Sequence, residues 1–469
     1  MLLAAGLAVG LVVRLHLAVT DDSVHWPDQV HKTIEAGHRV AFGYGWQPWE
    51  YVHGAVSWTV GGLLGAVLWM LAAVGLDDPH RYVVAVRALV AVASLSASWA
   101  VYRAVRDWDG GELAACVAGA LSALAAPAVY FAHRPLSETL SLAPITFGMW
   151  LTLRPRGRWH AVGAALLAFA VLLRLQNALF CAVALAALAL ARDWRRLRVV
   201  GAVLAAGALV YGVVDWATWG VPFHSAWEYV NWNVMKDVAG AFGESPFHYY
   251  LRFLFLSIGP VSLLLVVLAA AAGRRAPALV AAPLVFLLAH SVEGHKEARF
   301  VLAVVPLLCI AVGIGLDEVG RRVRRQFVVP VLGAVVLAPV AFQAVTIERL
   351  TMRDVGQDHL FAAGASAFAQ SGEVNRLLFA AHRRPDLCGI RLATLEAPWS
   401  GGYSHLHRDV PFYDKHDPVS GRYNYEIAVR DPTDTRFVAA DGGYGLRRLG
   451  ARCEPDPAFS TRFADPATR

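Results

Sequence analysis

Eleven apolar windows dominate the chain, at residues 1–19, 58–76, 82–103, 112–131, 138–153, 160–191, 198–214, 250–272, 276–290, 299–317 and 326–345. A helix needs about 20 such residues to cross a bilayer. Hydrocarbon admits only helices or closed barrels, because it offers backbone N–H and C=O groups no water to pair with. The windows predict an all-α multi-pass membrane protein of about eleven or twelve spans. A twelfth span arises if 160–191 is two short helices broken near Arg174-Leu175-Gln176-Asn177. Charged residues make up 17% of the chain, against about a quarter in soluble domains, which agrees with the windows.

The net charge of +6 is carried largely by short basic loops at 154–158, 192–198, 273–275 and 321–325. Between apolar spans such loops set topology, remaining on the cytoplasmic side, and do not indicate nucleic acid. The polar stretches 20–57, 215–249, 291–298 and everything after about residue 346 then fall on the extracytoplasmic face. An eleven-span count exports the basic loop 154–158, against the rule, whereas a twelve-span count keeps it inside. Beyond residue 346 the apolar runs shorten, and strand-like segments occur at 423–429, 436–440 and 445–449. These predict a small extracytoplasmic α+β domain, 346–469, after a membrane domain, 1–345. Cys116, Cys181 and Cys309 lie in apolar runs, while an oxidising compartment would let Cys388 and Cys453 form a disulfide. No cysteine pair has zinc-site spacing.

Two polar stretches carry chemistry. Glu293-Gly294-His295-Lys296-Glu297-Ala298-Arg299-Phe300 packs five ionisable groups between apolar runs, and charges at membrane depth are costly unless paired, solvated or used. On a short helical turn Lys296 and Arg299 face the same way beside His295, which suits a phosphate, with Glu293 and Glu297 balancing charge. A solvated turn with internal ion pairs, or an anion-transport site, is also compatible with these charges. The first loop reads Trp26-Pro27-Asp28-Gln29-Val30-His31, then Glu35, His38, Phe42-Gly43-Tyr44-Gly45-Trp46 and Trp49-Glu50. If 29–39 is helical, Asp28, His31, Glu35 and His38 share one face. Asp28 is then either a general base for an acceptor hydroxyl or a helix cap, and His31, Glu35 and His38 a possible metal set. The stretch 215–249 adds Asp215, Asn231 and several tryptophans and tyrosines, fit for an interfacial belt or for stacking on sugars.

The segment His295-Lys-Glu-Ala-Arg-Phe300 resembles the signature of the dolichyl-phosphate-mannose-dependent α-mannosyltransferases, the family of the lipid-linked oligosaccharide and GPI-anchor enzymes. The first loop is similar to that family's His-Pro-Asp-Glu segment with its following Phe-Gly-Tyr-Gly and Trp-Glu. Trp219-Gly220, Tyr229-Val-Asn231-Trp-Asn233 and Pro246-Phe-His-Tyr-Tyr250 resemble another landmark, and His133-Arg134-Pro-Leu-Ser137-Glu138 is a weaker match. Trp26 and Gln29 depart from the pattern, as do Pro48 and His53. Gln29 cannot act as a base, so Asp28 is the sole candidate in that pair.

The resemblance implies a C-type glycosyltransferase fold and an inverting transfer from polyprenyl-phosphate-mannose to a hydroxyl of a glycan or glycolipid. It implies no nucleotide sugar, cofactor, metal or nucleic acid. Asp28 would be the base and His295, Lys296 and Arg299 the donor-phosphate ligands, with Gln29, His31, Glu35, His38, Trp49, Glu50, Asp215, Asn231 and Glu297 in support. Competing readings are a transporter or flippase of a lipid-linked sugar, and a transferase of another sugar. The active site would face outward from a bacterial plasma membrane, or into the lumen of the endoplasmic reticulum in a eukaryote.

Overall fold

The computed structural model describes residues 1–323, 325–358, 361–369, 371–417 and 421–463. The chain divides into two compact units, one of Met1–Leu17 with Leu89–Ala367, the other of Ala18–Ala88 with Phe368–Arg469. This differs from a linear division at residue 345, because the first polar loop belongs to the same unit as the C-terminal segment.

Each apolar window holds a helix, Thr59–Ala73 in the second unit and the others wholly or mostly in the first. Among the described residues four helices are long and apolar enough to cross a membrane alone: Leu2–Thr20, Pro79–Asp107, Trp194–Trp219 and Gln326–Val345. Shorter apolar helices include Glu112–Leu124, His160–Leu173, Leu175–Leu190 and Pro277–Val292. Tyr249–Ile258 and Val261–Arg274 bend by 116° at Gly259-Pro260, where Gly259 takes a positive φ of 64° and Pro260 removes a backbone donor. The window 160–191 is broken after Leu173. Arg174 is extended there, and Asn177 Nδ2 donates to the Ala170 carbonyl at 2.8 Å, capping the preceding helix.

That break decides the topology of the middle of the chain. Arg196 donates to the carbonyls of Arg154 and Pro155 at 3.4 and 3.2 Å, so the basic loops 154–158 and 192–198 lie at the same end of this unit. Asp317 at that end binds Arg275 at 3.0 Å and Arg321 at 2.8 Å, and accepts from the Gly111 N–H. Helices 160–173 and 178–190 therefore run out and back, which accounts for the basic loop that an eleven-span count would export.

The second unit is built on a five-stranded sheet, order β2-β1-β3-β5-β4, with β1 Ile390–Leu392, β2 Phe412–Tyr413, β3 Tyr425–Val429, β4 Phe437–Asp441 and β5 Tyr444–Arg448. The β1 strand pairs in parallel with β2 and β3, and β3, β5 and β4 form an antiparallel meander. Helix Gly372–His382 supplies Val374, Leu377, Leu378 and Ala381, spaced three and four apart, to the core over this sheet. Trp46 of the first loop completes that core, stacked on Phe463 at 4.8 Å. Gln47 exchanges backbone hydrogen bonds with Thr461 and Phe463. Cys388 and Cys453 form a disulfide with Cα atoms 5.9 Å apart.

Candidate active site

Within the first unit, the anchor segment is not a helical turn. His295, Lys296 and Glu297 are non-helical, and a short 3-10 turn runs over Ala298–Val301. Lys296 and Arg299 consequently share no helical face and engage different groups. The Lys296 ammonium is buried and donates to the carbonyls of Ser245 (2.7 Å), Glu293 and Gly294. The Arg299 guanidinium holds both oxygens of Glu297, through Nε at 2.6 Å and Nη2 at 3.0 Å, and reaches Glu138 Oε1 through Nη1 at 3.1 Å. The same Glu138 oxygen takes Arg174 Nη1 at 2.6 Å, while Ser137 donates to Oε2 at 2.8 Å.

At the other end of this chain of charges, His295 Nε2 meets Glu297 Oε1 at 3.0 Å and Nδ1 meets the Gly243 carbonyl at 2.8 Å. Both ring nitrogens face acceptors, which only the imidazolium can satisfy. Burial opposes that charge, but the hydrogen bond and charge of Glu297 outweigh it, and the His295 pKa is raised above its ordinary 6.5. The result is an alternating row, His295, Glu297, Arg299, Glu138, Arg174, with three cations and two carboxylates. In the sequence Glu138 falls in the weaker motif match and Arg174 at the suspected helix break, and neither is named there as a site residue. Each lies in a different apolar window from the anchor, and pairing across windows leaves no local signal.

A raised imidazole contributes stability that is fully present below the unfolded value and is lost as pH rises through the folded one. The expected result is a larger fall in unfolding temperature between pH 6 and pH 9 for the parent protein than for His295→Gln. Equal falls would contradict the imidazolium assignment.

In the second unit Asp28 opens the helical stretch of the first loop. Its carboxylate lies 3.1 Å from Lys32, whose ammonium also binds Glu50 at 2.6 Å, and its side chain keeps 26% of its exposure. Burial pushes the Glu50 carboxyl up, Lys32 pulls it down and Asp28 pushes it further up. Trp49 is buried beside Glu50.

The remaining residues expected on the Asp28 face are used elsewhere. A π-turn over Val30–Ile34 changes the helical register, and residues of the C-terminal segment cover the helix beyond it. Gln29 is buried and donates to the Ser23 carbonyl at 2.8 Å, fixing the preceding turn. His31 packs on Phe463, and burial drops its pKa to about 4. His38 bridges the Tyr44 carbonyl at 3.0 Å and His407 at 2.9 Å. Glu35 accepts backbone N–H groups from Trp46, Tyr403 and Ser404 at 2.8, 3.0 and 2.7 Å. The metal reading of His31, Glu35 and His38 is therefore not supported by geometry; among the described residues no three His, Cys, Asp or Glu side chains are arranged to hold an ion. Asp215, in the first unit, accepts from the N–H and hydroxyl of Ser225 and closes the turn after helix Trp194–Trp219. Asn231, also there, donates to Glu228 at 3.0 Å.

A sequence model of the Alg9-like mannosyltransferase family matches residues 7–358. A protein of Yarrowia lipolytica named GPI mannosyltransferase 3 is 26% identical over 444 residues, covering 91% of this chain and 80% of its own length. A Drosophila melanogaster protein named Dol-P-Man:Man(7)GlcNAc(2)-PP-Dol alpha-1,6-mannosyltransferase is 26% identical over 196 residues, 41% of this chain and 28% of that protein. Among solved structures, ArnT from Cupriavidus metallidurans bound to undecaprenyl phosphate matches with a TM-score of 0.61 at 15% identity, over 97% of this chain and 99% of that one. At that identity the likeness is one of fold.

Proposed function

The chain belongs to the Alg9-like mannosyltransferase family, and from that premise we propose that it is an integral membrane α-mannosyltransferase using polyprenyl-phosphate-mannose. The observation that carries this is the match over residues 7–358, which takes in both the Asp28 loop and the His295–Phe300 segment. Asp28 removes the proton from a hydroxyl of the glycan or glycolipid acceptor. That oxygen attacks the anomeric carbon, the bond from that carbon to the phosphate oxygen breaks, and polyprenyl phosphate leaves with its electron pair. Configuration is inverted, and neither a nucleotide sugar nor a soluble cofactor takes part.

Within the charged row, Arg299 holds the donor's phosphate and stabilises the charge that develops on it as it departs. The Cys388–Cys453 disulfide supports an oxidising surrounding for its unit, and the clustered basic loops support a cytoplasmic end for the other. Both favour a site on the extracytoplasmic face. The test is incubation of membranes carrying the protein with labelled polyprenyl-phosphate-mannose. A labelled glycan or glycolipid is expected; label that crosses the membrane without entering a new glycosidic bond would replace this reading with transport.

Lys32 separates two carboxylates, Asp28 and Glu50. Without it their mutual repulsion is unscreened, and the pair keeps a shared proton to higher pH. Lys32→Met is therefore expected to move the acid limb of the kcat/KM profile to higher pH. An unmoved limb would show that Lys32 does not tune the base.

A further inference from the structure

We infer that Arg174, at the break between helices His160–Leu173 and Ala178–Leu190, is a direct ligand of the donor's phosphate, and that Glu138 is the carboxylate holding its place. The inference rests on the proposed use of a polyprenyl-phosphate donor. It identifies a residue outside the anchor segment as the part of the site with donors to spare.

Hydrogen-bond capacity sets Arg174 apart from its neighbours. The Nε and both Nη atoms of Arg299 already donate to Glu297 and Glu138, and Lys296 is spent on three backbone carbonyls. Arg174 has five N–H donors in a planar fork. Among the described residues its one ion pair is to Glu138, and its buried Nε meets no acceptor. A buried N–H without a partner is costly, and an incoming phosphate oxygen would satisfy it.

Geometry places this capacity where it is needed. Arg174 and Arg299 share one oxygen of Glu138, at 2.6 and 3.1 Å, so their guanidiniums are held side by side. Both also lie over the ring of Phe300, with Cζ 5.2 and 4.9 Å from its centre. Glu138 is almost wholly buried, at 3% of its exposure.

The charge balance points the same way. His295, Arg299 and Arg174 against Glu297 and Glu138 leave one net positive charge, while Lys296 has Glu293 and Glu244 as charge neighbours. Buried charge without a counter-ion is unfavourable. One or two negative charges are what a sugar phosphodiester, and then the lipid phosphomonoester left after transfer, bring to the site. Displacing Glu138 from Arg174 lets a phosphate bridge the two guanidiniums in the bidentate manner that arginine favours.

The experiment measures binding of undecaprenyl phosphate, which lacks the sugar, to detergent-solubilised full-length protein, with mannosyl transfer assayed alongside. Arg174→Lys keeps the charge opposite Glu138 but loses the fork. It is expected to bind the lipid phosphate roughly ten- to hundredfold more weakly, with an unchanged unfolding temperature in the absence of lipid. Arg174→Ala should be at least as weak; if it fails to fold, Arg174→Lys decides. Lipid phosphate binding at parental affinity in Arg174→Lys would overturn the inference while leaving the donor reading intact. Parent protein that binds no polyprenyl phosphate would overturn both. Parent protein that binds it but transfers no mannose would remove the proposed activity alone, and the comparison with Arg174→Lys would still be decisive for Arg174.

Discussion

Asp28→Asn is expected to fold as the parent does and to transfer mannose about a hundred- to ten-thousandfold more slowly, the range that a positioned general base contributes. The fold should survive because the Asp28 side chain is partly exposed. Its ion pair is with Lys32, itself 30% exposed and also bound to Glu50. A partly exposed pair of this kind is worth about 0–1 kcal/mol. Asparagine keeps the size of the side chain and its ability to open a helix, but it cannot accept a proton. Because the base acts on the acceptor, undecaprenyl phosphate should bind the variant with parental affinity while kcat collapses. Near-parental turnover in Asp28→Asn would remove Asp28 as the base and leave the donor assignment standing.

The contrast between Asp28 and its neighbours marks where sequence reasoning stopped working. The spacing of Asp28, His31, Glu35 and His38 matches one face of a regular helix, yet the π-turn over Val30–Ile34 interrupts that face. Phe463, Tyr403, Ser404 and His407, which help to bury the last three, lie more than 350 positions later. A local pattern cannot report a partner such as the Ser404 N–H. The anchor segment was easier to find, because charges of both signs in an apolar setting are conspicuous wherever they pair. Its companions were not: Glu138 and Arg174 sit about 160 and 125 residues upstream of Arg299, and an isolated glutamate near a helix start or an arginine at a helix break has an ordinary explanation. The three longer strands were legible from composition, with ends shifted by a residue or two. Strands Ile390–Leu392 and Phe412–Tyr413 were not, because two or three residues show no alternation. The apolar windows located the helices and allowed for the break at Arg174, but they missed the bend at Gly259-Pro260 and understated helices Pro79–Asp107 and Trp194–Trp219.

Glu35→Ala is expected to have the largest effect on stability of any single change in the second unit. Its carboxylate is wholly buried and accepts three backbone N–H groups, two from the turn Tyr403-Ser404 and one from Trp46. Gly402, at a φ of +58°, lets the chain pass so close that an added Cβ would stand 3.0 Å from Oε2. Removing the carboxylate leaves three buried donors without an acceptor, at about 1–3 kcal/mol each, against a total of roughly 5–15 kcal/mol for a typical domain. It also frees the strip around Trp46, whose ring is part of the core beneath the sheet. Faster amide exchange at Trp46, Tyr403 and Ser404 should accompany a lowered unfolding temperature. Burial raises the Glu35 pKa to about 7 even though the three N–H groups pull it down. A carboxyl raised in the folded state contributes stability that is complete below its unfolded value, 4.5, and is lost as pH climbs through about 7. The parent should therefore lose stability across that interval, and Glu35→Gln, which cannot titrate, should start lower and stay flat. Parental exchange rates in Glu35→Ala, or a Glu35→Gln curve that tracks the parent, would mean that this carboxylate does not tie the first loop to the C-terminal segment.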